Sequence, residues 1–308
     1  MGRRRSIAGF VAVVALTIPC LVSCRATPMR SVPPLSDPAV TVGSFDFPES
    51  ELLAWMYAGA IRAAGIPVRV IAAAGPREVV EPALRAGLVE LLPEYAGTAV
   101  QFLSGGGILP SSDATRTHAD LLRELSGTGV VVMAPARAQD ANALVVTSAT
   151  ARRYGLRRVS DLARVSPGLV FGGPPECLQR PLCLPGYGRT YGLRFRTFVP
   201  LDVGGPLTVQ ALVSNEIDVG LLFTSDPAIA DRDLVRLRDD RGLQPAENVT
   251  PLIRAETLER FGEPLRRAID AVSARLTTAV LVALNERLLA GVSPSRAAAE
   301  WLSAEGLA

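Results

Sequence analysis

The chain has no lysine: all 32 of its basic residues are arginine. That absence excludes a phosphate-binding loop with its lysine and Schiff-base chemistry on a lysine amine. Histidine is almost as scarce. The only one, His118, lies in the polar stretch from Thr115 to Asp120, where a solvated surface position is expected. A lone imidazole has no partner for a zinc site. A Ser-His-Asp triad would have to use it, and no Gly-x-Ser-x-Gly elbow is present. A dinucleotide fingerprint is missing too, since Gly43-Ser44-Phe45-Asp46 after the first apolar segment offers one glycine. There is no strong charge of one sign: 32 basic residues face 30 acidic ones, evenly mixed, without the clustered basic excess of a nucleic-acid binder. These gaps predict no nucleic acid, no cofactor, no metal and no enzyme chemistry.

What is present begins with Arg3, Arg4 and Arg5, an almost unbroken apolar run from Ile7 to Ile18, and Leu21-Val22-Ser23-Cys24. A charged start, a short apolar stretch and small residues before a cut mark an export signal. The run is short of the ~20 residues a bilayer span needs. Leu-Val-Ser-Cys resembles the lipobox of bacterial lipoproteins, which implies cleavage before Cys24 and lipid on that cysteine. The expectation is a signal peptide over 1–23, a flexible Pro-, Ser- and Thr-rich tether over 24–38, and attachment through Cys24 to the extracytoplasmic face of the cell membrane. Several acyl chains, at ~0.8 kcal/mol per buried CH₂, would hold it there firmly. An ordinary signal peptide with a chance cysteine, or a single-span anchor, is the alternative. Removing three arginines leaves 29 basic residues against 30 acidic.

Two cysteines remain beyond the lipobox and Cys20, namely Cys177 and Cys183, in Pro174-Pro175-Glu176-Cys177-Leu178-Gln179-Arg180-Pro181-Leu182-Cys183. An exported compartment permits a disulfide, which would stiffen the loop presenting Arg180. Two free thiols are the alternative, and a metal clip of two thiolates would be only half coordinated.

A hydrophobic content of 48% is enough for a large core. From Ala39 onward short apolar strands alternate with helical segments. Ala39–Gly43, Val68–Ile71, Val89–Leu92 and Val130–Met133 read as strands. The helices between them start at Pro48, Arg77 and Thr117. A second unit begins near Ala143, with strands at Leu169–Gly173, Thr197–Pro200, Ile217–Phe223 and Leu234–Leu237. From Glu256 the pattern is helical to the end. This rhythm predicts α/β architecture with parallel layers.

Four stretches occur in order: Val42-Gly43-Ser44-Phe45-Asp46-Phe47-Pro48-Glu49-Ser50, Leu92-Pro93-Glu94-Tyr95-Ala96-Gly97-Thr98, Arg180 through Tyr187-Gly188-Arg189-Thr190-Tyr191-Gly192-Leu193, and Gln210-Ala211-Leu212 followed by Glu216 to Asp226. From about Val40 to Leu302 the chain resembles the glycine betaine/choline/carnitine solute-binding proteins of ABC importers. The resemblance implies a two-lobed, type II periplasmic-binding-protein fold with two chain crossings and a central ligand cleft. Mapped here, lobe 1 is 39–136 plus 234–308 and lobe 2 is 137–233, with crossings near 136–142 and 230–234. It implies a monomer that takes a small osmoprotectant-type solute and delivers it to an ABC permease and its ATPase subunits. A sensory or scaffolding lipoprotein of the same fold is the alternative.

A quaternary ammonium has no N–H to donate, so ring faces must recognise it, while a carboxylate calls for a guanidinium fork. The resemblance implies Tyr95 as a cage ring, Thr98 as a nearby polar contact, and Arg180 as the carboxylate clamp. Phe223 falls where relatives carry tyrosine. Ser44 and Thr224 complete the implied contacts. The chain also departs from the pattern. Phe45 stands where relatives carry lysine, and Asn142 and Val209 stand where they carry tyrosine. Phe45 is expected to restore a ring from another wall, and Asn142 to hydrogen-bond the solute.

Overall fold

The computed structural model describes Gly2 and residues 39–308. The expected signal peptide, the tether and Cys24 lie outside the described residues. In chain order the strands and helices are β1 (Val40–Gly43), α1 (Pro48–Ala63), β2 (Val68–Ile71), α2 (Arg77–Arg85), β3 (Leu91–Tyr95), α3 (Ala96–Leu103), α4 (Ala114–Glu124) and β4 (Val130–Val132). Then follow β5 (Asn142–Thr147), α5 (Ser148–Tyr154), β6 (Val170–Gly173), α6 (Leu184–Tyr191), β7 (Thr197–Pro200), α7 (Pro206–Val213), β8 (Val219–Phe223), α8 (Ala228–Asp231) and β9 (Leu234–Arg236). The chain ends with β10 (Val249–Arg254), α9 (Ala255–Arg275), α10 (Thr278–Leu289) and α11 (Pro294–Ala304).

The strands form two five-stranded sheets, ordered β2-β1-β3-β10-β4 and β7-β6-β8-β5-β9. Pairs joined by a helix within one sheet are parallel: β1 with β2 and β3, and β6 with β7 and β8. The expected parallel layers are present, and each sheet adds one antiparallel strand, β10 in the first and β5 in the second. β10 runs antiparallel to β3 and β4, and β5 antiparallel to β8 and β9. Each of these strands enters its sheet from the other one, so no helical crossover within its own sheet imposes a parallel direction.

Alternation along the strands decides the cores. Leu144 and Val146 of β5 join Phe171 and Val219 on one face of the second sheet. Ala143 and Val145, one position out of phase, join Leu212 and Leu222 on the other. On the first sheet α1 is buried over most of its length and packs against α9 and α11. Pro48 occupies its first turn, where a missing N–H leaves no bond unmade.

The chain passes between the sheets twice, over 133–141 and 237–248. The two segments run side by side: Ala136 N–H donates to Val249 C=O, Val249 N–H to Ala138 C=O, and Asp140 N–H to Glu247 C=O. Leu234–Arg236, assigned from sequence to the first lobe, is instead a strand of the second sheet, with Leu234 opposite Thr147. Its entry is fixed by Ser148, whose N–H and Oγ both bond Asp233. The expected return at 230–234 is therefore too early. His118 also departs from expectation: it is half-buried, its Nδ1 has no hydrogen-bond partner, and burial lowers its pKa.

Candidate functional site

A cavity of about 110 Å³ lies between the two sheets, walled by segments of both. From the first sheet come the β1–α1 turn, the start of α2 and the β3–α3 junction. From the second come Asn142 at the start of β5, Phe223 at the end of β8, and the loop over 174–183.

Four rings gather here. Phe47 is central, 6.2 Å from Phe45, 6.0 Å from Tyr95 and 5.3 Å from Phe223 between ring centres. Phe45 and Phe47 lie two positions apart in the turn between β1 and α1, and their rings stack at an interplanar angle of 12°. The rings of Phe47, Tyr95 and Phe223 line the cavity. Phe45 already meets the Arg77 guanidinium, whose Cζ is 5.0 Å from its ring centre. The Tyr95 hydroxyl donates to Glu49 Oε1 at 2.7 Å, and burial, with Glu49 nearby, holds its pKa well above the usual range. Glu49 also accepts from Ser225 Oγ and Asn285 Nδ2, each at 2.6 Å. This carboxylate thereby ties α1, the chain after β8 and α10 together behind the cavity wall.

The charged groups are arranged in pairs. Arg77 forks onto Glu94 at 2.8 and 2.9 Å and reaches Thr98 Oγ1 at 3.0 Å. Arg180 lines the cavity as expected, but its guanidinium forks onto Glu78 at 3.2 and 2.8 Å. The ion pair joins α2 of the first sheet to the 174–183 loop of the second. Cys177 and Cys183 form the disulfide, Cα atoms 5.1 Å apart. Between them the Arg180 N–H donates to Glu176 C=O, and its C=O accepts from Cys183 N–H, so the loop holds Arg180 by its backbone.

Two acids complete the wall. Glu247 Oε2 accepts from the N–H groups of Gly97 and Thr98 at the start of α3, at 3.0 and 3.1 Å. Gly97 makes that approach possible, because a Cβ there would lie 2.2 Å from Pro245. The two N–H bonds and Arg77 favour the charged form, but burial outweighs them and pushes the Glu247 carboxyl up to about 8. Asp140 Oδ1 accepts from Ser225 N–H at 2.8 Å and from Thr224 Oγ1 at 3.2 Å. Burial and the neighbouring Glu49 raise its carboxyl well above the usual range.

Of the residues expected at the site, Phe45, Tyr95, Thr98, Asn142, Arg180 and Phe223 line this one cavity. Ser44 and Thr224 do not. Ser44 is fully buried and its Oγ accepts from Ala73 N–H. Thr224 exchanges hydrogen bonds with Ala141 and Asp140 at the crossing. Asn142 Nδ2 reaches Gln244 at 3.4 Å. Val209 lines a second cavity of about 260 Å³ on the far side of Phe47 and Phe223. Sequence reasoning missed Phe47, Arg77, Glu78, Asp140 and Glu247. Only Phe47 carried a readable signal, its two-residue spacing from Phe45.

Two α/β sheets, crossed twice by the chain and enclosing a ring-lined cavity, define a two-lobed solute receptor of the type II periplasmic-binding-protein class. Residues 38–304 match the family described as the substrate binding domain of ABC-type glycine betaine transport systems, and the chain belongs to that family. It is a family of transport receptors rather than of enzymes. A glycine-betaine-binding protein of Pseudomonas aeruginosa is 28% identical over 271 residues, covering 85% of this chain and 86% of the relative. An ergothioneine transport permease/ergothioneine binding protein of Helicobacter pylori is 25% identical over 79% of this chain, which spans only 43% of that longer protein. A crystal structure of a glycine betaine/carnitine/choline ABC transporter superposes with a TM-score of 0.69 at 25% identity, covering 87% of this chain and 99% of that one.

Proposed function

We propose that this chain is an extracytoplasmic receptor, lipid-anchored through Cys24, that captures a small organic cation of the quaternary-ammonium type and presents it to an ABC permease. The observation that carries the ligand class is the group of rings from Phe47, Tyr95 and Phe223 lining one inter-sheet cavity. The faces of such rings attract a cation by ~0.5–2 kcal/mol each. The relatives named for glycine betaine, carnitine, choline and ergothioneine support the same class. The proposed lobes are 39–138 plus 247–308 and 139–246, closing on the solute about the paired crossings.

Thermal unfolding of the full chain in detergent, with glycine betaine, choline, carnitine and ergothioneine, tests the reading. At least one is expected to raise the midpoint in a concentration-dependent way. Silence across the set removes the ligand class and leaves the fold standing. Mass spectrometry of the N-terminal peptide tests the anchor: acyl mass on Cys24 is expected, and an unmodified Cys24 within a longer chain excludes it.

A further inference from the structure

Every guanidinium on the cavity wall is already matched, and two acids are not. Arg77 and Arg180 are the only cations among the described residues lining the cavity, and each is held by a two-point carboxylate pairing, with Glu94 and Glu78. On the same wall Asp140 is 4% exposed and Glu247 1% exposed. Each uses one oxygen within the protein, while Asp140 Oδ2 and Glu247 Oε1 are buried with no hydrogen-bond partner. A buried acceptor left unpaired costs roughly 1–3 kcal/mol, so two on one cavity wall beside three rings describe the missing partner. It supplies positive charge and hydrogen-bond donors. A carboxylate entering here would find both guanidinium groups already paired, and either acid would repel it once ionised.

We propose that the solute is an organic cation carrying its own O–H or N–H donor and no carboxylate, with Phe47, Tyr95 and Phe223 against its cationic centre and Asp140 Oδ2 and Glu247 Oε1 accepting its donors. The inference rests on the reading of this cavity as the solute site, and it reverses the role that the sequence assigns to Arg180. Its consequence is proton release. Glu247 faces Arg77 on α2, Glu94 on β3 and the Thr98 N–H on α3, and burial leaves it protonated at neutral pH. Asp140 faces Glu49 on α1, Tyr95 on β3, and Ser225 and Thr224 after β8, and burial with Glu49 beside it raises its carboxyl well above the usual range. A cation arriving beside either group favours the carboxylate, so the carboxyl O–H breaks and its proton passes to the buffer as the solute binds.

Calorimetry of the full chain in detergent with choline, tetramethylammonium and glycine betaine tests this, because all three keep a fixed charge at nitrogen between pH 6 and pH 8.5. Choline has a donor, tetramethylammonium has none, and glycine betaine has a carboxylate and no donor. Choline is expected to bind about tenfold more tightly than tetramethylammonium, the worth of one charge-assisted hydrogen bond, and glycine betaine most weakly. Titrations in two buffers of different ionisation enthalpy should show a proton released with choline, and its affinity rising toward about tenfold per pH unit between pH 6 and pH 8. Glu247→Gln and Asp140→Asn should reduce the proton release and the choline preference. Glycine betaine binding at least as tightly as choline, or choline matching tetramethylammonium without proton release, overturns the inference while the small-cation reading stands. Silence from all three removes both.

Discussion

At the scale of single residues, Phe47 and Tyr95 separate recognition from support. Phe47 touches three other rings and lines both cavities. Phe47→Leu keeps apolar volume but removes the ring face. It should weaken cation binding by about tenfold, since a cation–π contact of ~1–2 kcal/mol corresponds to that ratio. Tyr95→Phe should do the reverse. It keeps the ring and deletes the hydroxyl that donates to Glu49, leaving a buried carboxylate one donor short. The expected result is a loss of about 1–3 kcal/mol in denaturant unfolding with little change in affinity. A large affinity loss in Tyr95→Phe would mean that the hydroxyl itself binds solute. Of the six expected residues that line the cavity, all but Asn142 sit inside recognisable stretches of sequence. Asp140 and Glu247 were not legible, because a carboxylate that lines a cavity leaves no periodic trace, and neither lies in those four stretches.

At the scale of elements, legibility followed local pattern and failed where an element depends on its partner. β1, β2, β6 and β7 are apolar segments bounded by glycine or proline, and they fall where expected. β10 went unread because Pro251 interrupts it, and a proline inside a run argues against a central strand. In the sheet Pro251 lies opposite Pro93 of β3, while its carbonyl accepts from Met133 N–H. The pair Glu78–Arg180 likewise links α2 to the disulfide loop across a hundred residues of sequence, and spacing alone could not show it. It also yields a prediction. The two side chains are 43% and 29% exposed, so the pair contributes only about 0–1 kcal/mol to stability. Glu78→Gln should leave the unfolding midpoint nearly unchanged yet release Arg180 toward the cavity. Glycine betaine should then bind several-fold more tightly while choline does not. An equal gain for both solutes would show that Glu78 repels nothing and that Arg180 stays away from a carboxylate even when freed.

At the scale of the whole molecule, the buried acids make stability depend on pH in an unusual direction. Asp161, Asp240 and Glu78, held by hydrogen bonds from arginine, serine or backbone N–H groups, ionise below their ordinary range, so their contribution is lost only on strong acidification. Glu247 behaves oppositely, rising from 4.5 to about 8, and Asp226 rises from 3.8 to about 6 through burial. Between the ordinary and the raised value, the unfolded chain has lost a proton that the folded chain keeps. The unfolded state then binds fewer protons, and stability falls as pH rises across that window. The solute-free protein should therefore unfold at progressively lower temperature from pH 5 to pH 8 and level off above, each kcal/mol moving the midpoint by about 2–4 °C. Glu247→Gln, which has no proton to lose, should flatten the upper part of that slope. A solute cation stabilises the ionised acid, so saturating solute should raise the midpoint more at pH 8 than at pH 6. A midpoint that climbs from pH 5 to pH 8 in the solute-free protein would mean that Glu247 and Asp140 are already charged, and that the fold supplies them with a cation of its own.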